Sequence, residues 1–443
     1  MNKSLAIFFL ITIASPGSAG RLGAAEQDGL GPQPETRAIT VQEAVRMAVS
    51  RSPEVLLAEA QAMRSRDAVS ETRSLNRPQV FAGTGAAYNN GYPLSMEGAA
   101  PSIFNITATQ SLFSKKNSNL IHEAEESGKA SRFGAESARE ELASKTALVY
   151  YQLHEARQLI ELASGRLDEA RRNQAQVETL VEAGRVKKVD RAVAQMATRN
   201  VQQQLEEAQE QARFAAIELR ELTGLSEAVS IKTLEPQIEN PIFTLPPETL
   251  FQQALERAPE ILQAETNLKA KELHVEAERG ERLPQIDFVG QYAVFSKANR
   301  YADYFNTFQR NNYLFGLSIR MPVFDGSRTG SKVAESRDEV AEARYRRDAL
   351  RSNLKMNIDR CLSALGTANR ASDYARQDAD LAREIVHVKE ALLEGGRISP
   401  QEMEESRSLL QQKEMKILET SQLVFQRKLE LLRAVGSVSS VLE

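Results

Sequence analysis

The sequence has no tryptophan, a single cysteine and few aromatic residues, 6% of 443. One thiol, Cys361, excludes an intrachain disulfide framework. Neither sign of charge dominates: 56 Lys and Arg face 60 Asp and Glu, for a net −4. That balance argues against a nucleic-acid partner. No apolar run approaches the roughly 18 residues that mark a membrane-crossing helix, so entry into a bilayer would require a barrel. No proline occurs between Pro101 and Pro236. The sequence also lacks a Gly-Lys-Ser/Thr phosphate loop, an HExxH pair and a Gly-x-Ser-x-Gly elbow. Its four histidines, His122, His154, His274 and His387, are dispersed. His274 and Glu278 share a helix face but read as solvated polar residues. No enzyme, no cofactor and no metal site is expected.

What is present is the composition of long helices, rich in Ala, Glu, Leu, Arg and Gln. The proline-free stretch from Ser114 to Glu182 carries two interleaved sets of seven-residue recurrences. One set is Leu142, Val149, Ala156, Ala163, Ala170 and Val177; the other is Thr146, Leu153, Ile160, Leu167, Gln174 and Val181. Alternating steps of four and three are the seam of a coiled coil. At 1.5 Å per residue such a helix is on the order of 100 Å long.

The rod occurs twice. An offset of 212 residues carries the seam from Leu142 to Leu354 and on through Ile358, Cys361, Leu365, Ala368, Ser372, Ala375, Ala379, Ala382 and Val386. The same shift takes Gly184 to Gly396, Asp190 to Glu402 and Gly224 to Gly436. One fixed period of this kind indicates an internal duplication. Cys361 lies on the seam and reads as a small buried apolar residue. Returning helices are expected over 188–223 and 400–435, with Leu205, Ala212 and Leu219 matching Ile417, Val424 and Leu431.

Ahead of each rod, Pro53-Glu54-Val55-Leu56 aligns with Pro259-Glu260-Ile261-Leu262, and Pro78-Gln79-Val80 with Pro284-Gln285-Ile286. After those second prolines the period changes from 3.6 to 2. Tyr313, Phe315, Leu317, Ile319, Met321 and Val323 form one wholly apolar face opposite a mixed one, the pattern of a strand between lipid and a wet lumen. Strands are expected at about 78–90, 102–113, 284–296 and 311–324. Four strands cannot close a barrel, and an open edge in lipid is prohibitive, so several chains must share one wall. Soluble hairpins capping a helical rod are the other reading of these strands.

The predicted layout is a signal peptide at 1–19 (cleaved after Ala19 or Ala25, with no lipid-anchor cysteine), a flexible segment at 20–38, a first repeat at 39–224, a connector at 225–247, a second repeat at 248–436 and a tail at 437–443. At the second turn, Gly395 and Gly396 suit a left-handed helix end. Ser399, Pro400 and Glu402 form a Ser-x-x-Glu capping box. Asp190 holds the matching place in the first turn. Both acids have a purely structural reading as caps; around a symmetry axis each would also become a ring of carboxylates that favours cations.

The order and doubling of these features resemble the TolC-type outer-membrane efflux protein family. The residues that carry the likeness are Ala44…Pro53-Glu54 and Ala254…Pro259-Glu260, Pro78-Gln79 and Pro284-Gln285, Ala183-Gly184-Arg185-Val186 and Gly395-Gly396-Arg397-Ile398, and Gly224 and Gly436. The resemblance covers the chain beyond its signal peptide. It implies a mixed fold: a homotrimer with a twelve-stranded transmembrane β-barrel in outer-membrane lipid above a twelve-helix coiled-coil tunnel in the periplasm. It implies a passive exit duct of a tripartite efflux or type I secretion system, worked by a periplasmic adaptor and an inner-membrane transporter. Glu402, Glu405 and Asp190 would line the pore constriction. Gly184, Arg185, Val186, Gly396, Arg397 and Ile398 would form the tip that meets the adaptor. The family's basic residue two places after the second glycine is replaced here by Ile398, with Arg397 one residue early, which implies a rewired closing network. The alternatives are a soluble periplasmic coiled-coil adaptor or scaffold and, within the channel class, a dedicated secretion or metal-export duct.

Overall fold

The computed structural model describes residues 35–85, 102–295, 309 and 311–442. The expected signal peptide, most of the lead-in and most of both hairpin loops lie outside these residues. In chain order the elements are β1 (Glu35–Ile39), α1 (Val41–Arg51), α2 (Pro53–Arg73), β2 (Gln79–Gly83), β3 (Ser102–Phe113), α3 (Lys115–Glu182) and α4 (Lys188–Thr223). They continue with β4 (Val229–Thr233), α5 (Pro247–Arg257), α6 (Pro259–Gly280), β5 (Gln285–Phe295), β6 (Asn311–Arg320), α7 (Arg328–Glu394), α8 (Pro400–Val435) and α9 (Val438–Leu442).

The two rods are single helices of 68 and 67 residues. The first seam set is buried throughout; in the second, Thr146, Leu153 and Leu167 are buried while Ile160, Gln174 and Val181 are partly exposed. In α7 the seam is buried from Ile358 to Val386, Cys361 included. The short alanines on these seams let α3 pack along α4 and α7 along α8. Towards the sheet, α6 takes over as the helix between α3 and α7.

The sheet is antiparallel in the order β2-β3-β5-β6, so the central β3–β5 pair joins the two repeats. Its register sorts the side chains. Phe104, Ile106, Ala108, Ile286, Phe288, Tyr292, Tyr313, Phe315, Leu317 and Ile319 share one face. Thr107, Thr109, Gln285, Asp287, Gln291, Asn312, Ser318 and Arg320 share the other. Neither β2 nor β6 has a second neighbour among the described residues. Two strands are shorter than expected. β6 ends at Arg320 rather than 324, because Pro322 has no N–H to donate and Gly326 and Ser327 turn the chain with φ of 64° and 72°. β2 ends at Gly83, and the expected stretch 86–90 lies outside the described residues.

The described end of the lead-in, the connector and the tail are more ordered than their sequence suggested. Residues 35–39 form β1, which pairs in parallel with β4 inside the connector. Tyr150 of α3, fully buried, holds this pair: its hydroxyl accepts from the Leu234 N–H (2.7 Å) and donates to the Ile39 carbonyl (2.7 Å). Burial pushes the Tyr150 phenol up to about 12, so it stays a donor. The tail forms α9, whose first N–H groups, from Val438 and Ser439, donate to Glu140 of α3 (2.8 and 3.0 Å). Around Tyr150 lies the largest apolar core, with Leu153, Leu219, Leu250, Leu431 and Val435. Both repeats, β1 and α9 are fastened at mid-height, leaving sheet and helix ends projecting either way.

Candidate functional site

The two helix ends farthest from the sheet share one backbone. In the first turn Gly184 has φ +66°, the Arg185 N–H reaches back to the Leu180 carbonyl (2.9 Å), and the Gly184 N–H to Val181 (3.0 Å). In the second Gly396 has φ +66°, with Arg397 bonded to Leu392 and Gly396 to Leu393, both at 2.9 Å. These paired bonds satisfy carbonyls that a helix end leaves open. Of Gly395 and Gly396, only the second takes the left-handed conformation; Gly395 is right-handed and corresponds to Ala183. Gly184, Arg185, Gly396 and Arg397 are exposed, and Val186 and Ile398 turn partly inward. Neither arginine has an ion pair among the described residues.

The caps differ. Ser399 Oγ accepts from the Glu402 N–H (3.2 Å), and Glu402 accepts from the Ser399 N–H (3.2 Å), completing the capping box. In the first turn the carboxylate of Asp190 accepts from the Lys187 N–H (2.8 Å). Lysine has no acceptor to return the bond. Glu405 is exposed and takes one bond from Gln401 (3.2 Å).

The acid that the structure buries is Glu404, between two of the three predicted from sequence. It accepts from Arg166 Nη2 (2.6 Å) and Asn173 Nδ2 (3.0 Å) of α3. Both members of the ion pair are shielded, with side chains 7% and 11% exposed. Arg166 also reaches Glu169 (2.9 Å). This contact fastens α8 to α3 across 238 residues of sequence. Asp190, Val186, Ser399 and Glu404 line one small cleft between the two hairpins, so the structure brings the first-turn acid to the second turn. The one sequence signal for Glu404 was the helical phase set by Ser399, which turns position 404 inward beside buried Met403. His274 does not join Glu278; its Nδ1 lies 2.9 Å from Glu123 on α3.

The family model for the outer membrane efflux protein matches residues 44–225 and 250–437, one span on each repeat. Among curated relatives, the pyoverdine export outer membrane protein OpmQ of Pseudomonas aeruginosa is 27% identical over 277 residues, 61% of this chain and 56% of that protein. The outer membrane efflux protein BepC of Brucella suis is 27% identical over 139 residues, 31% of this chain and 29% of that one. The chain thus spans about half the length, or less, of the curated relatives it matches. Among solved structures, the outer membrane protein VceC from Vibrio cholerae superposes with a TM-score of 0.76 at 15% identity, covering 89% of this chain and 96% of that one. CusC superposes at 0.75 with 17% identity, covering 89% and 91%. At such identities the structural likeness establishes the fold, and the two matched spans establish the kinship: the chain belongs to the outer membrane efflux protein family.

Proposed function

We propose that this protein is the outer-membrane channel of a tripartite export assembly: a passive duct whose wall is shared by three copies and whose helical tip is opened by a periplasmic adaptor and an inner-membrane transporter. One observation carries the reading: a four-stranded sheet with an apolar face and two edges unpaired among the described residues, mounted on paired helices on the order of 100 Å long. Unpaired strand edges are not tolerated in lipid. Three copies supply twelve strands, enough to enclose a channel rather than a filled interior. The helices carry the same need. On α7 the exposed Tyr374, Leu381, Ile385 and Val388 form a second apolar stripe, and on α4 so do Val189 and Met196. Both stripes lie near the tips, where a neighbouring copy would cover them. The names of the relatives, an exporter of pyoverdine and an efflux protein, agree with such a duct.

In this assembly Asp190, Glu402 and Glu405 form rings of carboxylates at the constriction. Glu405 faces solvent and is bonded only to a side chain, Gln401, whereas Asp190 and Glu402 are each tied to a cap backbone N–H. Gly184, Arg185, Val186, Gly396, Arg397 and Ile398 form the surface offered to the adaptor, with Arg397 exposed and available to an acidic partner. The test is purification in detergent followed by planar-bilayer recording. Trimers that conduct with a preference for cations, a preference weakened in the Glu402→Ala/Glu405→Ala variant, are expected. A monomer that stays in the soluble extract and passes no current would favour the adaptor reading and overturn this one.

A further inference from the structure

Four elbows join sheet to helices, and each carries the same pair of features. Before β2 stand Leu75 and Arg77; at the end of β3, Phe113 and then Lys115; before β5, Arg282 and Leu283; after β6, Phe324 and Arg328. The apolar member is exposed in every case, 39% for Leu75, 49% for Phe113, 47% for Leu283 and 90% for Phe324. Phe113 pairs with Ile286, so it continues the apolar face of the sheet. Arg77, Lys115 and Arg282 are exposed and have no ion-pair partner among the described residues.

Three carboxylates of this zone are turned the other way, while a fourth, Asp325, is exposed but closes its own turn by accepting from the Ser327 and Thr329 N–H groups (3.0 and 2.9 Å). Glu278, Glu281 and Asp287 have side chains only 8%, 20% and 11% exposed, and they are held by Lys116, Arg328, Lys332 and Arg320. Arg328 and Arg320 remain 63% and 72% exposed even so. Glu278, Glu281 and Asp287 face inward and the cations outward, so even with Asp325 exposed the collar shows a net positive charge beside apolar side chains. An acyl-chain boundary lined with anionic headgroups has the complementary arrangement.

We infer that the elbows form a collar that binds anionic phospholipid of the leaflet on the helical side of the membrane, with Leu75, Phe113, Leu283 and Phe324 at the acyl boundary and Arg77, Lys115, Arg282 and Arg328 on the phosphates. The inference rests on the sheet being a piece of a membrane barrel. The occupant follows from charge complementarity and from continuity with the apolar face of the strands.

The full chain is reconstituted from an equal mixture of phosphatidylglycerol and phosphatidylethanolamine, and the lipid retained after purification is counted. The parent protein should be enriched in phosphatidylglycerol by about tenfold, as expected for several cations near a surface, and less so as salt rises. The Arg77→Gln/Lys115→Gln/Arg282→Gln variant should lose that enrichment while still taking up lipid. A charge control on the lower helices, Arg171→Gln/Arg172→Gln/Arg199→Gln, should keep it. Equal headgroup ratios in parent and triple variant would overturn the collar while leaving the barrel reading intact. Copies that separate in the triple variant with the headgroup ratio unchanged would assign the collar to a second chain instead. No lipid uptake by the parent would overturn the barrel and the collar with it.

Discussion

The two helical hairpins, α3 with α4 and α7 with α8, have the same turn backbone and nearly the same lengths but are held by different forces. The first is closed chiefly by small apolar contacts, with Ala194, Val201, Ala208, Ala215 and Leu219 of α4 buried. Its cross-ties are one close exposed ion pair, Arg191–Glu178 at 2.8 Å, and a longer one, Lys145–Glu218 at 3.8 Å. The second is laced by Arg383–Glu414, Arg407–Glu390 and Lys413–Asp378, and Lys389 reaches Ser406 (2.7 Å). Its returning helix also buries Glu404, Ser406, Gln411 and Thr420. Duplication preserved what the backbone needs, a left-handed glycine and a seam. It left the side chains free to diverge, and the second hairpin became the polar one. It also became the one that grips its neighbour, since Glu404 has Ala192 as its counterpart in the first repeat.

The comparison can be broken most forcefully at the glycines that end the returning helices. Both have positive φ, +69° for Gly436 and +67° for Gly224. A methyl at Gly436 would lie 2.7 Å from Ala258 Cα and 2.8 Å from the Arg257 carbonyl, whereas at Gly224 it would meet only the Arg51 side chain at 3.3 Å. Gly436→Ala should therefore cost more than about 3 kcal/mol, and Gly224→Ala about 1 kcal/mol from backbone strain alone. Equilibrium unfolding of the two variants checks this; equal losses would mean that the repeats are packed alike.

Next in size is the buried pair. Glu404→Ala leaves the shielded Arg166 with only the half-exposed Glu169 as ion-pair partner and should cost about 3 kcal/mol, the low end for a broken buried pair. Removing the half-exposed Glu178 in the first hairpin should cost no more than about 1 kcal/mol. Thermal denaturation with Arg166→Met as the companion variant separates the two explanations. If Glu404→Ala/Arg166→Met recovers most of the loss, the unpaired charge was its source.

A smaller effect sharpens the contrast between the turns. Ser399→Ala should lose about 1 kcal/mol with its cap. Lys187 already has the extended backbone of a cap residue, φ −78° and ψ 152°. Lys187→Ser should therefore gain about 0.5–1 kcal/mol by giving the first turn the box that the second has. A neutral result at Lys187 would show that the Asp190 bond already satisfies this end.

The last effect depends on pH and lies at the seam between the hairpins. Burial, with repulsion from Glu419 added, pushes the Glu155 carboxyl up to about 7. Between the ordinary glutamate value and 7 the folded chain keeps a proton that the unfolded chain has lost. Stability therefore falls as pH rises through that window and stays lowered above it. Glu155→Gln should raise Tm at pH 8 and leave it unchanged at pH 5. The counterpart position in the second repeat is the uncharged Thr367, so no matching effect is expected there. A pH-independent difference would remove ionisation as the cause.

Much of the fold was legible because its signals are local. The heptad steps from Leu142 to Val177, the alternation from Tyr313 to Ile319, Gly184 and Gly396 at the turns, and the Ser399–Glu402 box each act within a few residues. The ends of strands were less so: Met321 and Val323 continue the apolar alternation, yet Pro322 and the Gly326–Ser327 turn stop the ladder at Arg320. β1 and β4 escaped notice because five-residue strands carry little pattern and pair across almost 200 residues. The tip acids show the limit most clearly. Capping pointed to Asp190 and Glu402 and the family resemblance added Glu405, but neither singled out Glu404, the acid buried between the last two.

By itself, the sequence determined the duplicated plan: two long helices, two tip turns, and strands with one apolar side. Helix period, strand period and turn chemistry are set by neighbours along the chain. Only the tertiary structure decided that Tyr150 would gather β1 and the connector, that β3 would pair with β5 to join the halves, and that Glu404 would meet Arg166. Those choices depend on how helices are rotated and offset against one another in space, and a contact between positions 238 apart leaves no trace in the residues beside either of them.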